Sequence, residues 1–165
     1  QREANEYRAM YSEAREMFDY LTLQLRDGMV DYGFYGDGGV GGMRDSLVLI
    51  SKDAAKRIYL TFDPIEENFH VKVNLFDGVN DLDLLSELSF GDEVKVKELS
   101  FNVSPVNDPY DSDYYADDAI QFQPKVTVYA RFEKELSGAR EPFVMDLETT
   151  VSSRVYNQIY APEEY

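Results

Sequence analysis

The hydrophobic positions at the start of the chain recur with the period of a helix. Apolar side chains lie three and four residues apart on one stripe, while charged side chains occupy the opposite side. The stripe consists of Tyr7, Met10, Tyr11, Ala14, Met17, Phe18, Leu21 and Leu25. The pattern predicts an amphipathic helix over residues 1–27.

The predicted helix has no start signal. Because the pattern is already under way from Gln1, no Ser, Thr, Asp or Asn stands in front of it as a cap for the free amide hydrogens of a first turn. We therefore expect that an upstream segment precedes Gln1, and a hydrophobic anchor is the commonest such segment. The alternative is a helix that frays at its N-terminus.

Residues 28–45 interrupt the periodic pattern. Six glycines lie between Gly33 and Gly42, and a regular element there would carry a high entropy cost. We expect a helix-to-sheet loop. A phosphate-binding loop is disfavoured, because the Gly-Lys-Ser/Thr ending is missing and the helix precedes the glycines.

From Ser46 onward the period is two, which is typical of half-buried strands. The candidate strands are Ser46–Ser51, Arg57–Phe62, Phe69–Leu75, Val94–Val103, Ile120–Phe132 and Phe143–Tyr156. Residues Asp77–Phe90 are ambiguous, because their leucines also fit a short helix. The order predicts an α+β fold in which a long N-terminal amphipathic helix packs on one antiparallel β-sheet over residues 46–157, followed by a tail at 158–165.

The composition argues against several functions. Asp and Glu outnumber Lys and Arg by 32 to 16, so the surface repels nucleic acids, and no nucleic-acid partner is expected. The chain has no Cys, and its single histidine, His70, alternates with apolar positions beside Lys72 and Asn74, which predicts an outward-facing position. Without a nucleophile or metal partner for this histidine, we predict that the protein is not an enzyme.

An acidic loop at 107–118 is the one segment with candidate metal chemistry. Its carboxylates are Asp108, Asp111, Asp113, Asp117 and Asp118. Several carboxylates in a short span suit Ca²⁺, although the spacing is not that of an EF-hand loop, and acidic runs are usually solvated. Calcium is therefore a candidate ligand, and no other cofactor is expected.

Several phrases resemble prepilin-type proteins, which are the pseudopilins of type II secretion and the minor type IV pilins. The segment Met145–Asn157, with its Thr-Thr-Val-Ser-Ser-Arg run, resembles their closing strand. Glu3–Met10 is similar to the amphipathic second half of their long N-terminal helix, while Glu98–Val103 and Ile120–Val128 are similar to the strands before the last one. The leader peptide and apolar half-helix that define the family are absent from this sequence.

The resemblance implies a pilin-like fold and a non-enzymatic structural subunit, either a minor pilin of a type IV pilus or a pseudopilin of a type II secretion filament. It also implies prepilin-type methylation, other pilin or pseudopilin subunits as partners, and anchoring in the cytoplasmic membrane through the missing N-terminal helix. The globular domain would then be periplasmic or extracellular in the cell envelope. Tyr7, Met10, Tyr11 and Ala14 are the expected assembly interface, because they lie nearest the missing segment.

The alternative is a free-standing extracellular binding module, stabilised by calcium, that contacts protein or glycan. The chain has 13 tyrosines, and Tyr110, Tyr114 and Tyr115 cluster in the acidic loop. Tyrosine is enriched at binding surfaces because its ring is apolar and its hydroxyl is polar.

Overall fold

The computed structural model describes residues 2–111, 123–136, 138 and 141–153. Helix α1 spans Arg2–Asp27, and a single helical turn, α2, spans Tyr32–Tyr35. The strands are β1 (Gly28–Val30), β2 (Met43–Arg44), β3 (Ser46–Ser51), β4 (Lys56–Asp63), β5 (Asn68–Phe76), β6 (Asp81–Phe90), β7 (Lys95–Ser104), β8 (Lys125–Lys134) and β9 (Phe143–Ser152). The glycine-rich segment is thus not a plain loop, since it contains α2, a 3₁₀ turn at Gly36–Gly38 and the short β2.

The described strands form two antiparallel sheets. Sheet A has the order β1-β3-β4-β5-β6, and sheet B has the order β2-β7-β8-β9. The predicted pilin-like α+β fold, with the helix on one antiparallel sheet, is wrong: the structure is mostly β, in two sheets, with one long N-terminal helix. Alternation along a strand shows which side chains face inward, but it carries no information on which strands pair.

One core joins α1 to both sheets. Met10, Ala14, Met17, Phe18, Leu21 and Leu25 of the helix are buried together with inward side chains of β3, β4, β5, β7 and β8. The helix lies mainly against β9, β8 and β1. Burial of its stripe, at roughly 25 cal/mol per Å² of apolar surface, is the main force that holds the helix in place.

The ambiguous segment Asp77–Phe90 contains a strand and no helix. β6 pairs with β5 from Phe69↔Phe90 to Phe76↔Asp81, with register shifts beside Asn74. Asn74 pairs with Arg57 of β4 and so lies on the outer face, as alternation predicts, but its side chain is buried there. His70 is half-buried between Thr61 and Ser89 on neighbouring strands.

The glycine-rich segment is anchored at Val40, whose amide donates to the Val106 carbonyl at 2.8 Å. The adjacent Gly39 has φ +67°, and a Cβ there would lie 2.5 Å from the Val106 carbonyl oxygen. Gly36 has a similar φ of +69°, but a Cβ there would meet nothing within 4 Å. Substitutions at these two glycines therefore distinguish the cost of backbone strain from the cost of a steric clash.

We expect Gly39→Ala to lower the free energy of unfolding by about 3 kcal/mol, because strain and overpacking add. Gly36→Ala is the matched control, because Gly36 has the same kind of strained backbone with φ +69° and ψ −160°. It should cost about 1 kcal/mol from that backbone strain alone. Urea denaturation measures both. An equal loss of stability in the two variants would show that the backbone at Val106 moves away from the added methyl group at no measurable cost.

Candidate functional site

The buried stripe of α1 begins at Met10. No side chain between Ala4 and Ala9 is buried, whereas Met10 is 1% and Ala14 is 0% exposed. Of the four residues expected at an assembly interface, Met10 and Ala14 thus lie in the core and are not available to a neighbour in the folded domain. Tyr7 and Tyr11 remain 44% and 49% exposed.

The exposed tyrosines belong to a mixed aromatic and basic surface. The Tyr7 ring packs edge-on against Phe143 of β9, with ring centroids 4.8 Å apart. Arg8 and Arg15 are exposed, and each lies three or four residues from Tyr11 on the helix, so the three side chains share one side of it. We call Tyr7, Arg8, Tyr11, Arg15 and Phe143 the helix surface. Aromatic and Arg side chains are the residues that interfaces favour.

A second cluster lies on the outer face of sheet A, around Arg57. Its guanidinium donates to Asp31 at 2.8 Å and approaches Asp81 at 3.4 Å. The same group lies 4.2 Å from the Phe76 ring centroid and 5.5 Å from that of Phe34. The Asp31 side chain also accepts from the Phe34 amide at 3.1 Å and so caps α2. The cluster ties the turn α2 to sheet A.

Tyr59 completes this cluster. Burial, together with donation of its hydroxyl to Asp81, raises the pKa of Tyr59 above its ordinary value. The phenol therefore stays protonated at neutral pH and acts as a donor. Because Arg57 donates to both Asp31 and Asp81, and Tyr59 donates to Asp81, the cluster is a structural network in which the charged groups are paired with one another.

The acidic loop is described only in part. Asp108 and Asp111 are described, whereas Asp113, Asp117 and Asp118 lie outside the described residues. Asp108 accepts a hydrogen bond from the Tyr110 amide at 3.0 Å, and burial, with the charge of Asp111, raises its pKa. Within the described ranges, no three His, Cys, Asp or Glu side chains are grouped closely enough to hold a metal ion. Calcium binding stays a prediction.

Strand β6 presents an apolar surface that the sequence analysis missed. Four leucines on it are about half exposed: Leu82 at 53%, Leu84 at 55%, Leu85 at 48% and Leu88 at 45%. Leu88 pairs with Val71, which is fully buried, so the core ends between β5 and β6. The Asp-Leu-Asp-Leu run at 81–84 was a signal for a strand, but the leucines also matched a helical stripe.

Among the described residues, no helix combines the length and the apolar character that a bilayer crossing requires. Comparisons of the chain with protein-family models, with curated proteins and with solved structures gave no match.

Proposed function

We propose that the protein is a non-enzymatic structural subunit of a prepilin-type filament, in a type IV pilus or a type II secretion system, and that it assembles through α1. The observation that carries the proposal is the division of this helix. One side is buried from Met10 to Leu25, while the helix surface around Tyr11 is exposed.

The geometry of the helix suits such a role. Its 26 residues form a rod of about 39 Å at roughly 1.5 Å per residue. The first turns contribute no buried side chain between Ala4 and Ala9, so a neighbouring subunit can contact this end without disturbing the core. The proposal also draws on the sequence resemblance at Glu3–Met10 and Met145–Asn157.

Charge supports contact through the helix surface. The chain has a formal net charge of −16, so two copies repel each other over most of their surfaces. Arg8 and Arg15 are exposed basic groups beside Tyr11. A neighbour that meets the helix surface with an acidic patch gains attraction where the rest of the molecule repels.

Single-cysteine crosslinking tests the proposal, because the 165 residues contain no Cys. We expect Tyr11→Cys in the full-length protein, expressed in cells that build the filament, to give a ladder of covalent multimers with a short bis-maleimide. Ile65→Cys is the matched control, since Ile65 is 87% exposed in the turn between β4 and β5.

A ladder from Tyr11→Cys with Ile65→Cys remaining monomeric supports assembly through the helix. The proposal is rejected if both variants stay monomeric in filament-producing cells, or if both crosslink to the same extent. Circular dichroism of the purified variants checks that each one is folded.

A further inference from the structure

The open edge of sheet A is β6. This ten-residue strand pairs with β5 on one side and has no strand partner on the other among the described residues. An edge strand carries a row of backbone donors and acceptors that can pair with another extended segment. Pairing with β5 is regular from Phe69↔Phe90 to Val73↔Ser86, so the half of β6 from Ser86 to Phe90 is a straight template.

Apolar side chains of β6 are exposed on both faces of the sheet. Leu88 shares a face with Val71 and the core side chains, yet 45% of it is exposed. Leu84 and Leu85 lie together where one extra residue of β6 faces Asn74. An added strand would cover these leucines and extend the core by one strand.

All the charged side chains of β6 are acidic. Asp81 is engaged by Arg57 and Tyr59. Asp83 and Glu87 are exposed, and in the described part of the chain no Lys or Arg side chain forms an ion pair with either. They are therefore available to a partner of opposite charge.

We propose that β6 is a docking edge for an extended segment of a partner protein in which Lys or Arg alternates with apolar residues. Backbone pairing supplies the affinity, the exposed leucines receive the apolar side chains, and Asp83 and Glu87 receive the basic ones. This inference does not rest on the proposed filament function, because β6 and the helix surface are different parts of the molecule.

Charge complementarity selects this occupant over a second copy of the chain. Two copies would each bring a formal net charge of −16 and the same acidic strand. Acidic side chains and bulges on an edge oppose self-pairing. The same acidic groups attract a basic strand. They therefore disfavour pairing with a second copy of the chain and favour pairing with a basic partner.

The probe is a fluorescent eight-residue peptide, Lys-Val repeated four times, titrated with the protein and followed by fluorescence anisotropy. We expect saturable binding that weakens as salt rises from about 50 to 500 mM, because charges at an exposed edge are screened. A peptide with Glu in place of Lys should show no binding at a protein concentration of about 1 mM.

Backbone pairing is tested by N-methylation of alternate peptide residues, in the two possible phases. Only one set of amides can face β6, so methylation of that set should abolish binding while the other phase still binds. Equal binding of the two methylated peptides would overturn strand addition.

Protein variants locate the site. Asp83→Lys with Glu87→Lys should weaken peptide binding by about tenfold or more, since attraction becomes repulsion at two positions. The matched control, Glu16→Lys with Glu66→Lys, makes the same change of charge at exposed positions on α1 and in the β4–β5 turn, and it should change binding by less than about threefold. Thermal unfolding confirms that all variants are folded.

Three further outcomes would overturn the proposal. The first is no binding of the basic peptide at a protein concentration of about 1 mM. The second is an equal loss in the β6 variant and the control, which would indicate non-specific attraction to an acidic protein. The third is concentration-dependent dimerisation that is lost in Leu88→Lys, which would assign the edge to a second copy.

Discussion

Replacing Met10 with Asp should remove about 5 kcal/mol from the free energy of unfolding and leave much of the protein unfolded at room temperature. Met10 is 1% exposed and belongs to the core shared by α1 and both sheets. The substitution deletes buried apolar volume and also places a charge without a partner in an apolar site. Urea denaturation followed by circular dichroism measures the effect.

The control is Tyr11→Asp, one residue further along the same helix. Tyr11 is 49% exposed, so its replacement should change stability by less than about 1 kcal/mol. The pair tests the division of α1 on which the proposed function depends. A Met10→Asp protein with an unchanged unfolding midpoint would mean that the first half of the helix is not packed on the sheets.

Replacing Asp31 with Ala should cost about 3–5 kcal/mol, because the change leaves Arg57 without its closest partner. The side chains of Asp31 and Arg57 are 4% and 13% exposed, and their contact at 2.8 Å is the shorter of the two ion pairs that Arg57 makes. The substitution also removes the cap on α2. Thermal and urea unfolding of the variant give the loss directly.

A double-mutant cycle separates these contributions. Asp31→Ala combined with Arg57→Met should be more stable than Asp31→Ala alone, since the double variant has no largely buried guanidinium that has lost its closest partner. The matched pair at the surface is Arg131 with Asp146, in contact at 2.8 Å but 39% and 47% exposed, and breaking it should cost less than about 1 kcal/mol. Similar losses at the two pairs would show that the Arg57 cluster is solvated.

The local elements were the predictable part of the fold. The structure has a helix at Arg2–Asp27 and strands at Ser46–Ser51 and Phe143–Ser152, close to where the periodicities predicted them. In these segments, the side-chain pattern reflects a strong contrast between a buried and an exposed face. Such a contrast is a property of the local sequence.

The division into two sheets was not predictable from the same pattern. It arises because the consecutive strands β6 and β7 do not pair with each other. It also includes β1 and β2, which have three and two residues and lie around the glycine-rich segment. Strands this short carry no measurable period. Their sheet membership is decided by distant partners, since β1 pairs with Ile50 and its neighbours while β2 pairs with Phe101 and Asn102.

β6 was ambiguous for a different reason. Its leucines are exposed on both faces, so the usual contrast between faces is missing and the spacing of the leucines matched a helix equally well. At the candidate assembly interface, the sequence pointed to Tyr7, Met10, Tyr11 and Ala14. The two tyrosines are exposed, whereas Met10 and Ala14 are buried. The sequence contained no sign that Asp31 and Arg57 meet, because 26 positions separate them in the chain.

The path of the chain has a consequence for synthesis on the ribosome. The hairpins of β3 to β6 pair neighbours in sequence and can form once Phe90 has been made. Helix α1, in contrast, lies mainly against β8 and β9, which are among the last described residues to be translated. The apolar side of the helix therefore stays incompletely covered until β8 and β9 have been synthesised, and in that interval it can bind a chaperone.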